Sequence, residues 1–370
     1  MGYVAVSGGL EAITQASNLV QYFRLRGGSP PLEVGQIRDQ QRLAVDRVMG
    51  EGSLYAPTMA ALALKQSEGD TIEASFILRA YRATQARLYV SEPVDTQKMQ
   101  IIRRISGAFQ DIPGGQILGP TRDYTQRLLD FNLFGEDGAT LQEILTRLGA
   151  KVPGQALPDS FPKVVELLRR EGLLMAIAPP EDHVCDITRQ TPPFPWPRSA
   201  RLQGLARGET GAMMALAYSS IRGYGDIHPF LGELRVGYVP LAVQDPARSS
   251  PLHAGWVLVT EAEIIADFGD GERGSRPCLA LGYGLCFGHN EIKAIAMGIL
   301  DRTMQSTAVD KAPAEDEEFV LYHVDGIEAS GFVAHWKLPH YVTFQSKLDR
   351  LRKAQEENKE AGHAQDQRSL

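Results

Sequence analysis

The sequence has few cysteines and no long apolar run. Its three cysteines are an odd number and include no CxxC pair, so they supply neither a disulfide framework nor a closed thiolate metal site. An iron–sulfur cluster held by this chain alone is also set aside. No window approaches the roughly 18 apolar residues of a membrane span, and Met1–Gly9 lacks the features of a signal peptide. We therefore expect a cytoplasmic protein that does not associate with membranes.

Motifs of well-known catalytic centres are absent too. The sequence contains no Walker A loop, no GxGxxG after a strand, no GxSxG elbow and no HExxH. The net charge of −7 argues against general nucleic-acid binding. With 370 residues, 43% of them hydrophobic, the chain can form one large core or a few smaller ones.

Hydrophobic spacing predicts helices first and strands later. Apolar stripes at helical spacing cover the first ninety residues, and Asp70 followed by Glu73 is typical of a helix start. Alternating or β-branched runs predict strands in the later part of the chain. The predicted strands are 234–239, 256–259, 278–287 and 319–323. We therefore predict an α+β fold, with a helical N-terminal region followed by a mixed α/β region that contains a sheet.

Composition divides the chain into four predicted regions. Residues 1–131 form the helical region with a glycine-rich loop, and residues 132–190 form an accessory segment. Residues 191–345 form the mixed α/β region with a nucleotide and metal site, and residues 346–370 form a polar helix and disordered tail. Thr191–Pro197, with four prolines and no helical period, is the candidate domain boundary.

A glycine-rich loop surrounds Gly114 and Gly115, and Pro120 suits the first turn of a helix that would reach Phe131. A glycine-rich entry to a helix exposes backbone N–H groups that bind anions. Several arginines, Arg103 among them, also lie in apolar or glycine-rich stretches and need anionic partners. Two interpretations stay open for these features: a turn with internal ion pairs, or a site for a small polyanion.

A second polar cluster extends from Ser219 to Arg235. Glycines on both sides of Tyr224 allow close approach of a ligand to the backbone, and Arg222 and Arg235 are able to bind phosphate bidentately. Glu233 or His228 could act as an acid or a base. The alternative is a tight turn between helix and strand, with its arginines in internal ion pairs.

Two histidines, His335 and His340, are separated by a loop that contains Pro339. Five residues do not place both on one helical face, and the proline prevents a regular helix, but a loop can bring both imidazoles to one metal. A zinc site needs about four ligands, of which two are missing locally. Metal binding and two ordinary hydrogen-bonded histidines both remain open.

Longer stretches resemble a known family, the I subunits of the carbon–phosphorus lyase core complex, over nearly the whole length. The resemblance is carried by Leu43–Met49, Leu62–Gln66, Leu78–Arg82, Arg103–Ser106, Asp111–Gln116 through Asp130–Phe131, Arg222–Gly225, Gly282–Leu285 and Glu317–His340. Residues 132–182 and the tail resemble the family least, so we place no function there. Asp226 and Ile227 depart from the family's loop pattern, and Asp226 receives no role.

The resemblance implies an activity. With companion subunits, such proteins exchange the adenine of ATP for methylphosphonate and form ribose 1-methylphosphonate 5-triphosphate, whereas the isolated subunit acts as a nucleosidase. The resemblance also implies self-pairing and contact with the radical SAM subunit that carries an iron–sulfur cluster. By position, His335 and His340 match the family's zinc ligands at an interface with a partner subunit, and we expect Mg²⁺ to accompany the nucleotide.

Displacing the base builds positive charge on the sugar and negative charge on the departing base, so the reaction needs a carboxylate, an acid and groups that bind phosphate. We assign Glu233 and His228 to acid–base or electrostatic roles. The predicted substrate-binding residues are Arg222, Arg235, Tyr224, Gly114, Gly115 and Arg103. A non-catalytic scaffold that holds an interface zinc is the alternative, while an independent zinc hydrolase is disfavoured because only two ligands are visible.

Overall fold

A computed structural model describes residues 8–149, 160–175, 184–225, 227–244, 250–267 and 278–366. The chain divides into two compact units, one of residues 33–326 and one that combines residues 1–32 with residues 327–370. Within the described ranges, no helix has the length and apolar character to cross a membrane.

Helices and strands occupy largely separate stretches of the chain, with three of the strands consecutive, an α+β arrangement that confirms the predicted fold class. The helices of the first part are α1 (Gly9–Leu25), α2 (Val34–Gln40), α3 (Arg42–Gly52), α4 (Pro57–Gln66) and α5 (Thr71–Ala83), followed by strand β1 (Gln100–Ile105). Next come α6 (Gly138–Gly149), α7 (Val165–Arg170), α8 (Arg198–Arg207), α9 (Thr210–Ser219) and a π-helical turn (Ser220–Tyr224). The later elements are β2 (Phe230–Val243), β3 (Leu252–Asp267), β4 (Leu279–Phe287), α10 (Glu291–Thr303), α11 (Glu317–His323), α12 (Gly326–Ala334) and α13 (Tyr341–Asp366).

The four strands form one antiparallel sheet in the order β1-β2-β3-β4. One face packs against α10 in the main hydrophobic core, to which Leu234 and Ile264 contribute. Glycines in β4 allow this close packing, because a Cβ on Gly284 would lie 2.0 Å from the carbonyl oxygen of Ala294. Helices α2 to α5 form a second core of their own.

The opposite face of the sheet carries charged side chains. The register places Arg104 beside Arg235, Arg235 beside Glu261, and Glu233 beside Glu263 on neighbouring strands. Since residues two apart in a strand point to the same side, these groups share one face. Segments around residues 109–118 and 160–175 cover it.

Two predicted elements are wrong. Residues 319–323 belong to helix α11 rather than to a strand, since Asp316 caps the helix by accepting a hydrogen bond from the Phe319 N–H at 3.0 Å. The segment after Pro120 forms turns and a short 3-10 helix at Phe131–Gly135 instead of an α-helix. Its apolar side chains are exposed, so no packed face stabilises a longer helix.

The limits of the compact units do not coincide with the division predicted at residues 131, 190 and 345. The proline-rich stretch 191–197 lies inside the larger unit. Phe194 and Trp196 stack with their ring centroids 5.3 Å apart and pack against the main core. A connector that is extended and rich in proline therefore contributes to the core through its aromatic residues.

Candidate functional site

The charged face of the sheet holds six buried ionisable side chains, which we call the sheet-face cluster. Its members are Arg104, Lys163, Glu233, Arg235, Glu261 and Glu263. The carboxylate of Glu233 lies between two guanidinium groups: Arg104 Nε donates to Oε1 at 2.5 Å and Arg235 Nη2 donates to Oε2 at 3.1 Å. Three basic and three acidic groups balance, so the cluster is neutral when all six are charged.

The two arginines also hold the segments that cover the sheet. Arg104 Nη1 donates to the carbonyl oxygens of Pro113 at 2.6 Å and Gly115 at 3.0 Å. Arg235 Nη2 donates to the carbonyl oxygen of Phe161 at 2.9 Å. The glycine loop thus turns its carbonyl oxygens toward a guanidinium, and the N–H of Gly115 donates to Ile112 within the turn at 2.9 Å. Gly114 adopts a φ of 82°, which favours glycine.

Lys163 joins the covering segment to the two acidic residues of β3. Its ammonium contacts Glu261 and lies 3.4 Å from Glu263. Glu261 also accepts hydrogen bonds of 2.8 Å from the hydroxyls of Thr96 and Tyr283. Burial raises the pKa of Glu263 to about 7, so this carboxyl titrates near neutral pH.

Arg103, the neighbour of Arg104 in β1, belongs to a different cluster. It forms ion pairs with Glu291 at 2.8 Å and Asp123 at 2.5 Å. Glu291 in turn lies 2.7 Å from Nε2 of His289, whose Nδ1 lies 3.2 Å from Arg42 Nη1. Because a guanidinium only donates hydrogen bonds, Nδ1 accepts and Nε2 carries the proton.

This histidine–carboxylate pair was missed by the sequence analysis, as no motif marks it. The one local feature in the sequence that could have indicated it is Gly288, which directly precedes His289 and lies just before the start of α10 at Glu291. Gly288 has a φ of 74°, and a Cβ there would lie 2.3 Å from that of Asp46. Asp46 accepts the backbone N–H of His289 at 2.9 Å, which fixes the loop.

Three of the predicted site residues lie at the surface between α9 and β2. Arg222 is exposed in the π-helical turn, with its guanidinium carbon 5.9 Å from the ring centroid of Tyr218. Tyr224 is 76% exposed, and His228 is exposed beside Phe230. Across the described ranges, Arg222 has no carboxylate within 4 Å. These three side chains are therefore accessible to a ligand.

The structure thus separates the predicted site into three places. Glu233 and Arg235 are buried, and the exposed Gly114–Gly115 loop touches their cluster through the carbonyl oxygen of Gly115, which accepts from Arg104. Arg103 pairs with Glu291, and the surface turn carries Arg222, Tyr224 and His228. The roles assigned to all of them stay predictions.

In the smaller unit, His335 and His340 lie close together. Their ring centroids are 5.5 Å apart, near the roughly 5 Å expected for two imidazoles on one tetrahedral zinc. His340 Nδ1 lies 2.6 Å from the carbonyl oxygen of Leu338, and His335 Nδ1 contacts that of Phe332. A carbonyl only accepts, so each Nδ1 carries a proton, and in the neutral imidazole Nε2 then has the lone pair that a metal requires.

Among the residues that the structure describes, no further ligand completes such a site. In the described ranges, no group of three or more histidine, cysteine, aspartate or glutamate side chains has the arrangement to hold a metal ion. Trp336 stacks on His340 with a centroid distance of 5.0 Å and limits the space on that side. This part of the chain thus offers two ligands.

Comparison with known proteins decides the family. The sequence model of the family described as "Bacterial phosphonate metabolism protein (PhnI)" matches residues 2–358. The chain belongs to the PhnI family. This membership confirms the resemblance inferred from the sequence motifs.

Relatives from three bacteria match the PhnI-family chain at nearly full length. One from Stutzerimonas stutzeri, named "Putative C-P lyase subunit protein HtxH", is 51% identical over 96% of both chains. Two are named "Alpha-D-ribose 1-methylphosphonate 5-triphosphate synthase subunit PhnI". The one from Escherichia coli K12 is 48% identical over 96% of this chain and 99% of its own. The one from Rhizobium meliloti is 46% identical, over 96% of this chain and 95% of its own.

Proposed function

We propose that this chain is a subunit of a carbon–phosphorus lyase complex in phosphonate metabolism. In that complex it displaces adenine from ATP with methylphosphonate and forms α-D-ribose 1-methylphosphonate 5-triphosphate. The observation that carries the proposal is the match to two relatives whose names specify this product, at 48% and 46% identity over 96% of the chain. When alone, the chain releases the base with water in place of phosphonate.

The surface turn supplies groups that suit this reaction. Arg222, which lacks a carboxylate partner among the described residues, would pair with a phosphate of the nucleotide. Tyr224 would contact the nucleotide, and His228 would protonate the departing base. These three side chains are exposed and lie within seven residues of one another, which supports a common site.

The interior residues have a different place in the proposal. Glu233 and Arg235 are each about 1% exposed, so they reach a nucleotide only if the segments around Pro113 and Pro162 move away. With these segments in place, the cluster positions the start of β2 at Phe230, two residues after His228. The substrate role proposed for Arg103 requires a similar movement, because Arg103 is buried and paired with Asp123 and Glu291, whereas Gly114 and Gly115 are already exposed.

A zinc ion is proposed for the smaller unit. His335 and His340 would hold it through Nε2, with the remaining ligands supplied by water, substrate or a companion subunit. When bound, zinc supplies positive charge that polarises an oxygen ligand. Mg²⁺ would accompany the triphosphate. The proposed partners are the other subunits of the complex, including the radical SAM iron–sulfur subunit, and a second copy of this chain.

Base release by the purified full-length chain tests the catalytic part of the proposal. Incubated with ATP or GTP and Mg²⁺, the chain should release adenine or guanine, measured by chromatography. Arg222→Gln should lower the rate at enzyme and ATP concentrations below saturation by about tenfold or more, the value of a charge-assisted contact. The matched control is Arg38→Gln, which changes an exposed arginine that pairs with its neighbour Asp39. Equal rates for Arg222→Gln and Arg38→Gln would remove Arg222 from the site.

A scaffold role is the second candidate. The sheet-face cluster favours it, because internal partners occupy Glu233 and Arg235. A scaffold would release no base at any chain concentration, yet His335→Ala would lower the zinc content of the assembled complex measured by atomic absorption. Base release that disappears in Arg222→Gln contradicts the scaffold.

A further inference from the structure

Another group of arginines lies where the C-terminal ends of α3, α5 and α8 meet. Arg79 and Arg82 lie three residues apart on α5 and so share a face of the helix. Arg79 Nη2 donates to the carbonyl oxygen of Glu51, at the end of α3, at 2.7 Å. It also donates to that of Arg207, the last residue of α8, at 3.4 Å. Arg82 Nη1 donates to the Ser53 carbonyl oxygen at 3.5 Å.

Arg79 and Arg82 differ in how their donors are used. Nη1 of Arg79 bonds both carboxylate oxygens of Asp325, at 3.0 and 2.8 Å. Arg82 makes only the 3.5 Å contact with Ser53, which is at the limit of a hydrogen bond, and has no carboxylate within 4 Å among the described residues. A guanidinium has five N–H donors, so most of those on Arg82 have no partner in the part of the chain that the structure describes.

The surroundings of Arg82 are unfavourable for a positive charge. Its side chain is half-buried. Burial lowers the pKa of Arg82, and the positive charges of Arg207, Arg79 and Arg87 lower it further, while only Asp186 raises it. Arg87 is already paired with Asp186. A partly desolvated guanidinium among like charges is destabilising unless an anion binds to it.

Helix ends do not account for this arrangement. Arginine near a helix C-terminus interacts favourably with the last carbonyl groups. This explains Arg79, whose bonds to Glu51 and Arg207 satisfy two such carbonyls. Arg82, in contrast, adds a further charge to the same place and contributes one long contact. Its position is better explained by a ligand.

We propose that Arg82, in the field of Arg79 and Arg207, binds an oxyanion of the phosphate class that carries at least two negative charges. The planar fork of a guanidinium matches two oxygens of a tetrahedral oxyanion. Arg79 and Arg207 both pair with Asp325, at 2.8 and 3.4 Å, and share its single carboxylate. A divalent anion bound to Arg82 would also interact favourably with these two neighbouring guanidinium groups. The anion is free phosphate or the phosphate end of a larger molecule. This site is distinct from the surface turn at Arg222, and the inference does not rest on the proposed function.

Thermal unfolding of the full chain tests the site, with sodium chloride holding the ionic strength constant so that screening does not differ. In phosphate-free buffer, Arg82→Gln should raise the Tm, because it removes repulsion between like charges. Inorganic phosphate or tripolyphosphate should raise the Tm of the native chain, and Arg82→Gln should abolish this response. The control variant Arg38→Gln should keep it. If Arg82→Gln lowered the Tm by the same amount with and without phosphate, Arg82 would contribute only through its hydrogen bond to the Ser53 carbonyl oxygen. That result would overturn the proposal.

Calorimetry with the two probes identifies the source of the anion. We expect Arg82→Gln to weaken binding by about ten- to a hundredfold. Similar affinities for phosphate and tripolyphosphate support a free phosphate, whereas much tighter tripolyphosphate binding supports a phosphate chain. No binding of either probe to the native chain overturns the proposal and points to a carboxylate of a partner subunit. Unchanged base release by Arg82→Gln would leave the proposed function intact, so the two hypotheses fail separately.

Discussion

The two faces of the sheet are both buried, but they are held by different forces. On one face, Ala262 and Ile264 of β3 pack against α10 in an apolar core. On the other, Glu261 and Glu263 of the same strand lie among basic side chains. An apolar face gains stability from any close packing, whereas a charged face needs each partner in place. The comparison therefore predicts a different response to substitution on each face.

The charged face should be the more sensitive. Glu233→Gln removes the carboxylate between Arg104 and Arg235 and leaves two buried guanidinium groups without a negative partner. We expect a loss of about 3–5 kcal/mol in the free energy of unfolding, measured by urea denaturation. Asp39→Asn, which breaks the exposed pair with Arg38, should cost no more than about 1 kcal/mol. Equal losses in the two variants would show that the segments over the sheet are held by something other than this ion pair.

The second prediction concerns pH, again on the charged face. Burial raises the pKa of Glu263 to about 7, above its value of roughly 4.3 in an unfolded chain. The folded chain thus binds more protons between these values, so stability falls as pH rises from about 4.5 to 7 and then levels off. The groups that face Glu263 are Lys163 and Arg235, which lower its pKa, and Glu261 and Glu233, which raise it.

The expected loss from this single group is on the order of 3 kcal/mol across that range. Urea denaturation at several pH values measures it, and Glu263→Gln should remove this part of the slope. Glu68→Gln serves as a control, because Glu68 is exposed on the surface of the same unit. If neither Glu263→Gln nor Glu68→Gln changed the slope of the free energy of unfolding against pH, another residue would be responsible for the titration.

The sequence predicted the α+β class, because the helical stripes and the alternating runs of β2 to β4 are local patterns. It did not predict which face of β2 carries the charges, since Glu233 and Arg235 are polar residues in an alternating strand and suggest a solvent-facing side. Segments distant in sequence, around Pro113 and Pro162, bury them. For the same reason the pairing of His289 with Glu291 and Arg42 was invisible: 247 residues separate Arg42 from His289.

The arginines show the same limit of prediction from sequence alone. In the sequence, Arg222 and Arg235 look alike, as both lie near glycines and aromatic residues. The structure gives Arg235 a carboxylate and three carbonyl groups, whereas Arg222 is exposed without a carboxylate in the described ranges. Only the count of partners, which depends on tertiary contacts, distinguishes an arginine that supports the fold from one that is available to a ligand.

The apolar face should respond to added volume rather than to lost charge. Gly284→Ala places a Cβ 2.0 Å from the carbonyl oxygen of Ala294, so α10 must shift away from β4. We expect a loss of about 1–3 kcal/mol in the free energy of unfolding. Gly35→Ala is the matched control, because a Cβ there meets nothing within 4 Å and alanine favours the helix.

The control should be neutral or stabilising by about 0.5–1 kcal/mol. The loss in Gly284→Ala should also be independent of pH between 5 and 8, since no ionisable group is removed and the charged cluster lies on the other side of the sheet. If the loss instead varied with pH over the range in which Glu263 titrates, the displacement of α10 would also be displacing β3 and changing the surroundings of Glu263. The two faces of the sheet would then respond as one cooperative unit.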